Sequence, residues 1–299
     1  MSVAGPGEVR GDGAAGACAL GGKAVVITGA GRGLGRAYAL DAARSGAALV
    51  VNDLDGEPLE EAVAELGQIT DRIVPVPGSV ADWWIAESLV RECVLAFGAL
   101  DGFVANAGVH HCAYIWEESE ADVRRAAEVN VTGAAFCAIH ALRQMKEQGS
   151  GSLVNITSGA HIGMPEMSTY GATKGAVASA TYAWAIDMRP YGVRVNAVSP
   201  VALTRMTDNW KAPGSELSRA GSPPPETIAP VVTYLLSDAA AGITGQVVRM
   251  DKDGLSLMRP PGFANAVVPL AERTVEAVRG AFDAGLGAEL EHVGLGHWT

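Results

Sequence analysis

Two side chains that could exchange protons with a substrate, Tyr170 and Lys174, stand four residues apart in the sequence. On a helix, residues i and i+4 share a face, so the lysine ammonium would lie beside the phenol and favour its ionised form. A free tyrosine has a pKa of about 10 and is a poor base at neutral pH, whereas a neighbouring positive charge would bring that pKa toward the working range. The pair therefore fits a residue that exchanges protons with an alcohol or a ketone, although the same spacing also occurs on solvated helices without activity.

A glycine-rich segment, Thr28 to Gly35, predicts a dinucleotide-binding site. It follows the β-branched run Ala24 to Ile27 and precedes a stretch compatible with a helix. In that context, glycines let the backbone approach a pyrophosphate at the helix N-terminus. Asp53 ends the second predicted strand, where a carboxylate can bond the ribose of NAD and would repel the 2′-phosphate of NADP. Arg32 could receive that phosphate instead, so we expect NAD, with NADP as the less favoured alternative.

The composition limits the possible partners. The chain has 299 residues, of which 48% are hydrophobic, enough to bury a large core in one domain. Its formal net charge of -11 opposes binding to nucleic acid or anionic lipid, and no apolar run is long enough to span a membrane. The four cysteines are scattered and form no metal-binding pattern with histidines. We therefore expect a cytoplasmic protein without a metal site.

Short apolar strands alternate with helical stretches from Lys23 to about Met250. This alternation predicts an α/β fold, a doubly wound parallel sheet with helices on both faces. The division we predict is a disordered N-terminal tail over residues 1–21, a binding and catalytic domain over 22–255, and a C-terminal extension over 256–299. Val275, Val278 and Phe282 repeat at helical spacing in the extension, which predicts a short helix that packs on the body or on a neighbouring subunit.

Four motifs in this order resemble the short-chain dehydrogenase/reductase (SDR) family. They are the glycine turn Thr-Gly-x-x-x-Gly-x-Gly, the sequence Asn106-Ala107-Gly108 after the fourth strand, Asn130 on the following helix, and Ser158 ahead of Tyr170-x-x-x-Lys174. The resemblance spans about residues 23–254. It implies a single-domain Rossmann-type fold and an NAD(P)-dependent enzyme acting on CH–OH groups.

The resemblance also implies roles for the catalytic residues. Tyr170 would be the acid/base for the substrate oxygen, and Ser158 would bond and orient that oxygen. Lys174 would lower the pKa of the tyrosine and hold the nicotinamide ribose, and Asn130 would hold a water that links the lysine to solvent. The expected reaction is hydride transfer at the nicotinamide, which interconverts a secondary alcohol and a ketone.

Sixteen residues are expected to contact the cofactor: Gly29, Arg32, Gly33, Leu34, Gly35, Asp53, Leu54, Ser79, Val80, Asn106, Ala107, Gly108, Tyr170, Lys174, Pro200 and Thr204. Two positions depart from the family pattern. Ser79 stands where the family commonly has an acid that bonds the adenine, which puts the adenine contact in doubt. Val201 replaces the glycine that usually follows the proline, and it would stiffen the loop next to the nicotinamide.

Five residues are expected to bind the substrate: His110, His161, Met164, Met206 and Trp210. Their mixture of thioether, aromatic and imidazole groups indicates a medium to large apolar substrate of lipid, steroid or polyketide type, with one polar group. The alternatives are an NADPH-dependent ketoreductase of a biosynthetic pathway, a non-catalytic dinucleotide-binding sensor or scaffold, and a dehydratase or epimerase on the same scaffold. The resemblance further implies a homo-oligomer, either a dimer or a tetramer.

Overall fold

A computed structural model describes residues 18–202, 222–264, 267–291 and 294. Within them, eight strands form one sheet in the order β3-β2-β1-β4-β5-β6-β7-β8. The strands are β1 Ala24–Thr28, β2 Ala48–Asp53, β3 Ile73–Pro77, β4 Gly102–Ala105, β5 Gly151–Ile156, β6 Val193–Pro200, β7 Val247–Asp251 and β8 Gly254–Met258.

Strands β1 to β7 are parallel, as predicted, and β8 pairs with β7 in the antiparallel direction. The α-helices are α1 Gly33–Arg44, α2 Gly56–Leu66, α3 Trp83–Phe97, α4 Glu120–Ala127, α5 Ala134–Gln148, α6 Ser168–Met188, α7 Pro225–Leu236 and α8 Val275–Ala284. A π-helical turn over Glu128–Gly133 joins α4 to α5. The predicted doubly wound Rossmann-type architecture is confirmed.

The core consists of two apolar layers, one on each face of the sheet. Successive residues of a strand point to opposite faces, so Val25 and Ile27 pack in the layer of α1 and α7, whereas Val26 packs in the layer of α3 and α5. All three are fully buried. Burial on both faces explains why these strands read as continuous β-branched runs, and each such side chain contributes roughly 1.5–3 kcal/mol relative to an exposed one.

The antiparallel strand β8 is a feature that the sequence pattern does not predict. The tight reversal after β7 places Gly254 at φ 122°, a backbone conformation that residues other than glycine rarely adopt. The reversal needs no crossover helix, so β8 covers the outer edge of β7. Leu255 and Leu257, on the face of β8 that continues Val248 and Met250, are 65% and 62% exposed.

Both ends of the predicted catalytic domain continue into ordered structure. Leu20 is fully buried, and its amide donates to the Ser45 carbonyl. The C-terminal extension contains α8, the helix predicted from Val275, Val278 and Phe282, and these three side chains are exposed. Packing of the extension on the body or on another subunit stays a prediction. Across the described ranges, no helix is both long and apolar enough to cross a membrane.

Candidate active site

The carboxyl ends of the parallel strands open into a cavity of about 770 Å³. In doubly wound sheets, ligands bind at this edge, where the strand order reverses between β1 and β4. The cavity brings together most of the predicted site residues: Gly29, Arg32, Gly33, Leu34, Gly35, Asp53, Leu54, Ser79, Val80, Asn106, Ala107, Gly108, His110, Ser158, Met164, Tyr170, Lys174 and Pro200.

The glycine turn between β1 and α1 leaves room for a ligand backbone by excluding side chains. Gly29 and Gly33 have φ of 63° and 53°, so both use the left-handed region that glycine adopts at little cost. A Cβ on Gly35 would lie 2.0 Å from the Gly29 carbonyl oxygen and 2.6 Å from Asn106 Nδ2. The turn therefore brings the N-terminus of α1 to the cavity wall, and its amides fit a dinucleotide pyrophosphate.

Asp53, at the end of β2, is tied to the glycine turn. Its Oδ2 accepts from the Gly31 amide at 2.9 Å, and its Oδ1 accepts from the Asp55 amide at 3.3 Å. Asp55 also pairs with Arg32, with 3.4 Å between Oδ2 and Nη1. A carboxylate fixed here suits ribose hydroxyls and repels a phosphate, whereas the guanidinium beside it is already partly neutralised.

Asn106 and Thr28 hold the central part of the cleft. Asn106 Nδ2 donates to the carbonyls of Thr28 and Gly29 at 2.9 and 3.1 Å. The amides of Asn106 and Ala107 both donate to Thr28 Oγ1, at 3.0 and 3.1 Å. The Asn-Ala-Gly motif therefore ties the end of β4 to the glycine turn.

The third strand leads into the segment where the family commonly has an acid. Ser79 lines the cavity, and its Oγ accepts from the Ala81 amide at 3.2 Å. Asn52 supports this segment from β2, since its Nδ2 donates to the carbonyls of Val76 and Gly78 at 2.9 Å each. A hydroxyl here offers one hydrogen bond without a charge.

Helix α6, which begins at Ser168, carries both Tyr170 and Lys174. Lys174 Nζ donates to the Ile156 carbonyl at 2.8 Å and lies 5.8 Å from the centroid of the Tyr170 ring. The lysine backbone is held as well, because Thr157 Oγ1 donates to the Lys174 carbonyl at 2.8 Å. The i and i+4 residues thus face the same cavity, as the spacing predicts.

Burial dominates the titration of both groups. It raises the pKa of Tyr170 to about 12, against the effect of a hydrogen bond with Ser158 that lowers it. Burial also lowers the pKa of Lys174 to about 8. In the protein alone, the phenol pKa therefore lies above its ordinary value. The i and i+4 spacing leads us to expect that the Lys174 charge lowers the pKa of Tyr170. With Nζ 5.8 Å from the ring centroid, that charge does not outweigh the effect of burial.

Asn130 lies in the π-helical turn and is buried. Its Oδ1 accepts from the Val109 amide at 2.7 Å, and its Nδ2 donates to the Val109 carbonyl at 2.9 Å and to Thr173 Oγ1 at 3.1 Å. Thr173 in turn donates to the Tyr170 carbonyl at 2.7 Å. The asparagine therefore connects the loop after β4 to the helix of the tyrosine. The water expected beside it stays a prediction.

Ser158 follows β5 and caps a short 3-10 turn over Gly159–Ile162, with its Oγ accepting from the Ala160 amide at 3.2 Å. The hydroxyl keeps its proton available for a second partner. His161, predicted to bind the substrate, does not line the cavity. Its Nδ1 lies 2.5 Å from the Ser158 carbonyl oxygen and 3.4 Å from Thr157 Oγ1, so these contacts stabilise the turn.

His110 forms the wall next to the tyrosine. Its ring lies edge-on to Tyr170, with centroids 4.6 Å apart, and its nitrogens lie 3.6 and 3.8 Å from Cys112 Sγ. Burial, His111 and Lys174 lower the pKa of His110 to about 4. The imidazole is therefore neutral at pH 7 and can both donate and accept a hydrogen bond. Met164 and Met167 complete an apolar wall nearby.

Three predicted residues, Thr204, Met206 and Trp210, lie outside the described residues. Several cavity residues were not predicted: Asn52, Asp55, Arg125, Val129, Met167 and Arg249. Asp55 carries a local signal, since it follows Asp53 by two residues in the same acidic turn. The sequence holds no comparable signal for Arg125 or Arg249, because their place in the cavity depends on how distant elements pack.

Comparison with known proteins agrees with this geometry. A family model described as short chain dehydrogenase matches residues 23–214. The cis-4-hydroxycyclohexanecarboxylate dehydrogenase of Sinomonas cyclohexanicum is 35% identical over 243 residues, covering 77% of this chain and 95% of that protein. The chain belongs to the short-chain dehydrogenase/reductase family, and it is an NAD(P)-dependent oxidoreductase acting on CH–OH groups.

Two solved structures are similar over most of their length. A short chain dehydrogenase from Mycobacterium avium gives a TM-score of 0.81 at 28% identity, covering 93% of this chain and 99% of that one. A structure titled NAD+-bound xylitol dehydrogenase gives a TM-score of 0.72 at 28% identity, covering 78% of this chain and 99% of that one. The larger coverage in the first case shows that the likeness reaches beyond the 23–214 segment.

Proposed function

We propose that the protein is an NAD-dependent oxidoreductase that interconverts a secondary alcohol and a ketone on a medium to large, mainly apolar substrate. The observation that carries this proposal is the joint presence of Ser158, Tyr170 and Lys174 in one cavity with the glycine turn. A protein that only senses a dinucleotide needs the turn but has no need of a proton donor beside the nicotinamide end.

The proposed chemistry divides among these side chains. When bound, NAD would supply the hydride acceptor at C4 of its nicotinamide. Tyr170 Oη takes the proton from the alcohol during oxidation and returns it to the ketone oxygen during reduction. Ser158 Oγ hydrogen-bonds the same oxygen and keeps the reacting carbon in place. Lys174, anchored by the Ile156 carbonyl, supplies positive charge below the phenol and a donor for the ribose.

The preference for NAD rests on the charges around the adenosine end. Asp53 is held in place by Gly31 and by Asp55, so its carboxylate cannot swing away from an incoming 2′-phosphate without losing both hydrogen bonds. Arg32 is half-exposed and already paired with Asp55. These contacts favour ribose hydroxyls over a phosphate. The related NADPH-dependent ketoreductase would require Arg32 to leave this pair.

The apolar character of the substrate is supported by Met164 and Met167 beside Tyr170, and the neutral His110 adds a polar group to that wall. The Sinomonas relative is named for a hydroxylated cyclohexane carboxylate, which is a secondary alcohol on an apolar ring. We therefore place lipid-like, steroid-like and polyketide-like rings and chains among the substrates to test first.

The test has two parts. Thermal stabilisation of the protein by NADH and by NADPH at equal concentrations should favour NADH, and absorbance at the nicotinamide band should report turnover of secondary alcohols or ketones. Stabilisation by NADPH equal to that by NADH would overturn the assignment of Asp53. Cofactor binding without turnover of any member of a broad panel would favour a sensor.

We also propose that the protein is a homo-oligomer, a dimer or a tetramer. Helix α6 exposes Ala172 and Ala176 at successive turns, and Ile186 near its end is 72% exposed. Small side chains allow another helix to approach closely. Light scattering coupled to gel filtration should give a mass of two or four chains, and a monomer at micromolar concentration would contradict this proposal.

A further inference from the structure

One cationic side chain of the cavity has no role in the proposed reaction. Arg249 lies on β7 and lines the same cavity as Ser158 and Tyr170, and its side chain is 20% exposed. Its Nε donates to Asp251 Oδ2 at 3.0 Å. Among the described residues, the two Nη groups have no hydrogen-bond partner, so one edge of the guanidinium is unpaired within that part of the chain.

The strand order places Arg249 on the substrate side of the catalytic residues. The dinucleotide turn lies at β1, whereas β7 is the second strand beyond β5 in the opposite direction. Ile156 of β5 pairs with Val198 of β6, and Ser199 of β6 pairs with Arg249. Two strand spacings of about 4.8 Å put the backbones of Ser158 and Arg249 roughly 10 Å apart.

The charges along the cavity wall differ between its two ends. Its acidic lining residues among those described, Asp53 and Asp55, both belong to the adenosine end, where they contact the glycine turn and Arg32. Near the tyrosine, the lining includes the Ser158 hydroxyl, the neutral His110 and the cation Lys174, and Arg249 lines the same cavity from β7. A chain with a net charge of -11 thus has a cationic group, and no acidic lining group among the described residues, at the substrate end.

We propose that Arg249 binds a carboxylate of the substrate, so that the preferred substrate is a hydroxy or keto acid with an apolar frame between its two functional groups. The inference rests on the proposed function and narrows its substrate class. The open Nη edge presents parallel donors that match a carboxylate, and Asp251 fixes the plane of the guanidinium before the substrate arrives. The backbone separation sets the distance between the carboxylate and the reacting carbon at about 5–10 Å.

A matched set of probes separates this role from a structural ion pair. The probes are 4-oxopentanoate, 6-oxoheptanoate and 8-oxononanoate, each with its primary amide, reduced at pH 7 with NADH. For at least one chain length, kcat/KM for the acid should exceed that for the amide by about 10- to 100-fold, the range expected of a charged hydrogen bond. Arg249→Met should remove most of that ratio, and Arg249→Lys should restore part of it.

Two variants serve as controls. Arg125→Met removes another lining cation, on α4, and Arg91→Met removes an exposed arginine on α3 that pairs with Glu92. Neither should alter the acid-to-amide ratio. As a reading independent of turnover, heptanoate should bind the NADH complex more tightly than heptanamide, measured by nicotinamide fluorescence, and Arg249→Met should abolish the difference.

Several results would overturn the inference. One is the absence of any preference for acids in the wild type. Another is an equal loss of kcat/KM for acids and amides in Arg249→Met. A third is an acid-to-amide ratio that falls in Arg125→Met instead of in Arg249→Met. Reduction of the amides without preference for the acids refutes the role of Arg249 and leaves the proposed function standing. Failure to reduce any acid, amide or neutral ketone refutes the proposed function itself.

Discussion

Replacing Lys174 with methionine should raise the free energy of unfolding relative to that of the wild type, and this gain should be larger at pH 8 than at pH 10. The substitution should also abolish activity. The lysine is 5% exposed, and burial lowers its pKa from 10.5 to about 8. A charged ammonium in this position is therefore disfavoured in the folded state. Methionine has a similar length and shape and carries no charge to bury.

The magnitude follows from the linkage between protonation and folding. Because the folded pKa lies below the unfolded one, the penalty is complete below about pH 8 and disappears as the pH rises toward 10.5. A shift of this size corresponds to about 3 kcal/mol at pH 7 and falls by about 2 kcal/mol between pH 8 and pH 10. Loss of the hydrogen bond to the Ile156 carbonyl offsets about 1–2 kcal/mol at every pH.

Urea denaturation of the wild type and of Lys174→Met at pH 8, 9 and 10 measures this effect. From pH 8 to pH 10, the free energy of unfolding of the wild type should rise by about 2 kcal/mol relative to that of the variant. Lys252→Met, at an exposed position after β7, controls for the loss of a surface lysine and should show no such trend. A difference between Lys174→Met and the wild type that is constant with pH would show that burial does not lower the pKa of Lys174.

Three further substitutions test the binding cleft. Gly35→Ala places a Cβ 2.0 Å from the Gly29 carbonyl oxygen, so NADH affinity measured by fluorescence should fall at least tenfold; unchanged affinity would contradict the assignment of the turn. Asp53→Asn keeps an acceptor for Gly31 but removes the charge, so the ratio of NADPH to NADH affinity should rise about tenfold. An unchanged ratio would show that the Asp53 charge does not set the cofactor preference. Asn130→Ala should lower the free energy of unfolding by about 2–3 kcal/mol in urea, because it leaves Val109 groups unpaired; a loss below 0.5 kcal/mol would show that these bonds are dispensable.

Local signals in the sequence are sufficient for many elements. Helix α3 begins and ends at residues that are recognisable in the sequence, since Asp82 caps its first amides and Gly98 ends it at φ 85°. The glycine turn and the tyrosine–lysine pair are also predictable, because both depend on short spacings. These short motifs supply much of the cavity wall, so the sequence alone predicts where a dinucleotide would lie.

Other properties depend on contacts between distant segments. Helix α6 begins at Ser168, and the residue before it, Met167, pairs with Ala113 in the loop after β4. The pKa of Tyr170 is raised by burial that the whole fold creates, so a spacing between two residues could not predict its direction. In the sequence, Arg249 is one residue of a short strand, and only the strand order places it in the catalytic cavity.

In the proposed reaction, the Tyr170 phenol transfers the proton in a cavity that also holds the dinucleotide. Tyr170→Phe removes one oxygen and retains the ring that packs against His110. Single-turnover reduction of a ketone identified by the substrate panel should slow by at least 1000-fold, while NADH affinity by fluorescence titration changes less than threefold. Turnover within tenfold of the wild type, or a parallel loss of NADH binding, would contradict the role of Tyr170 in proton transfer.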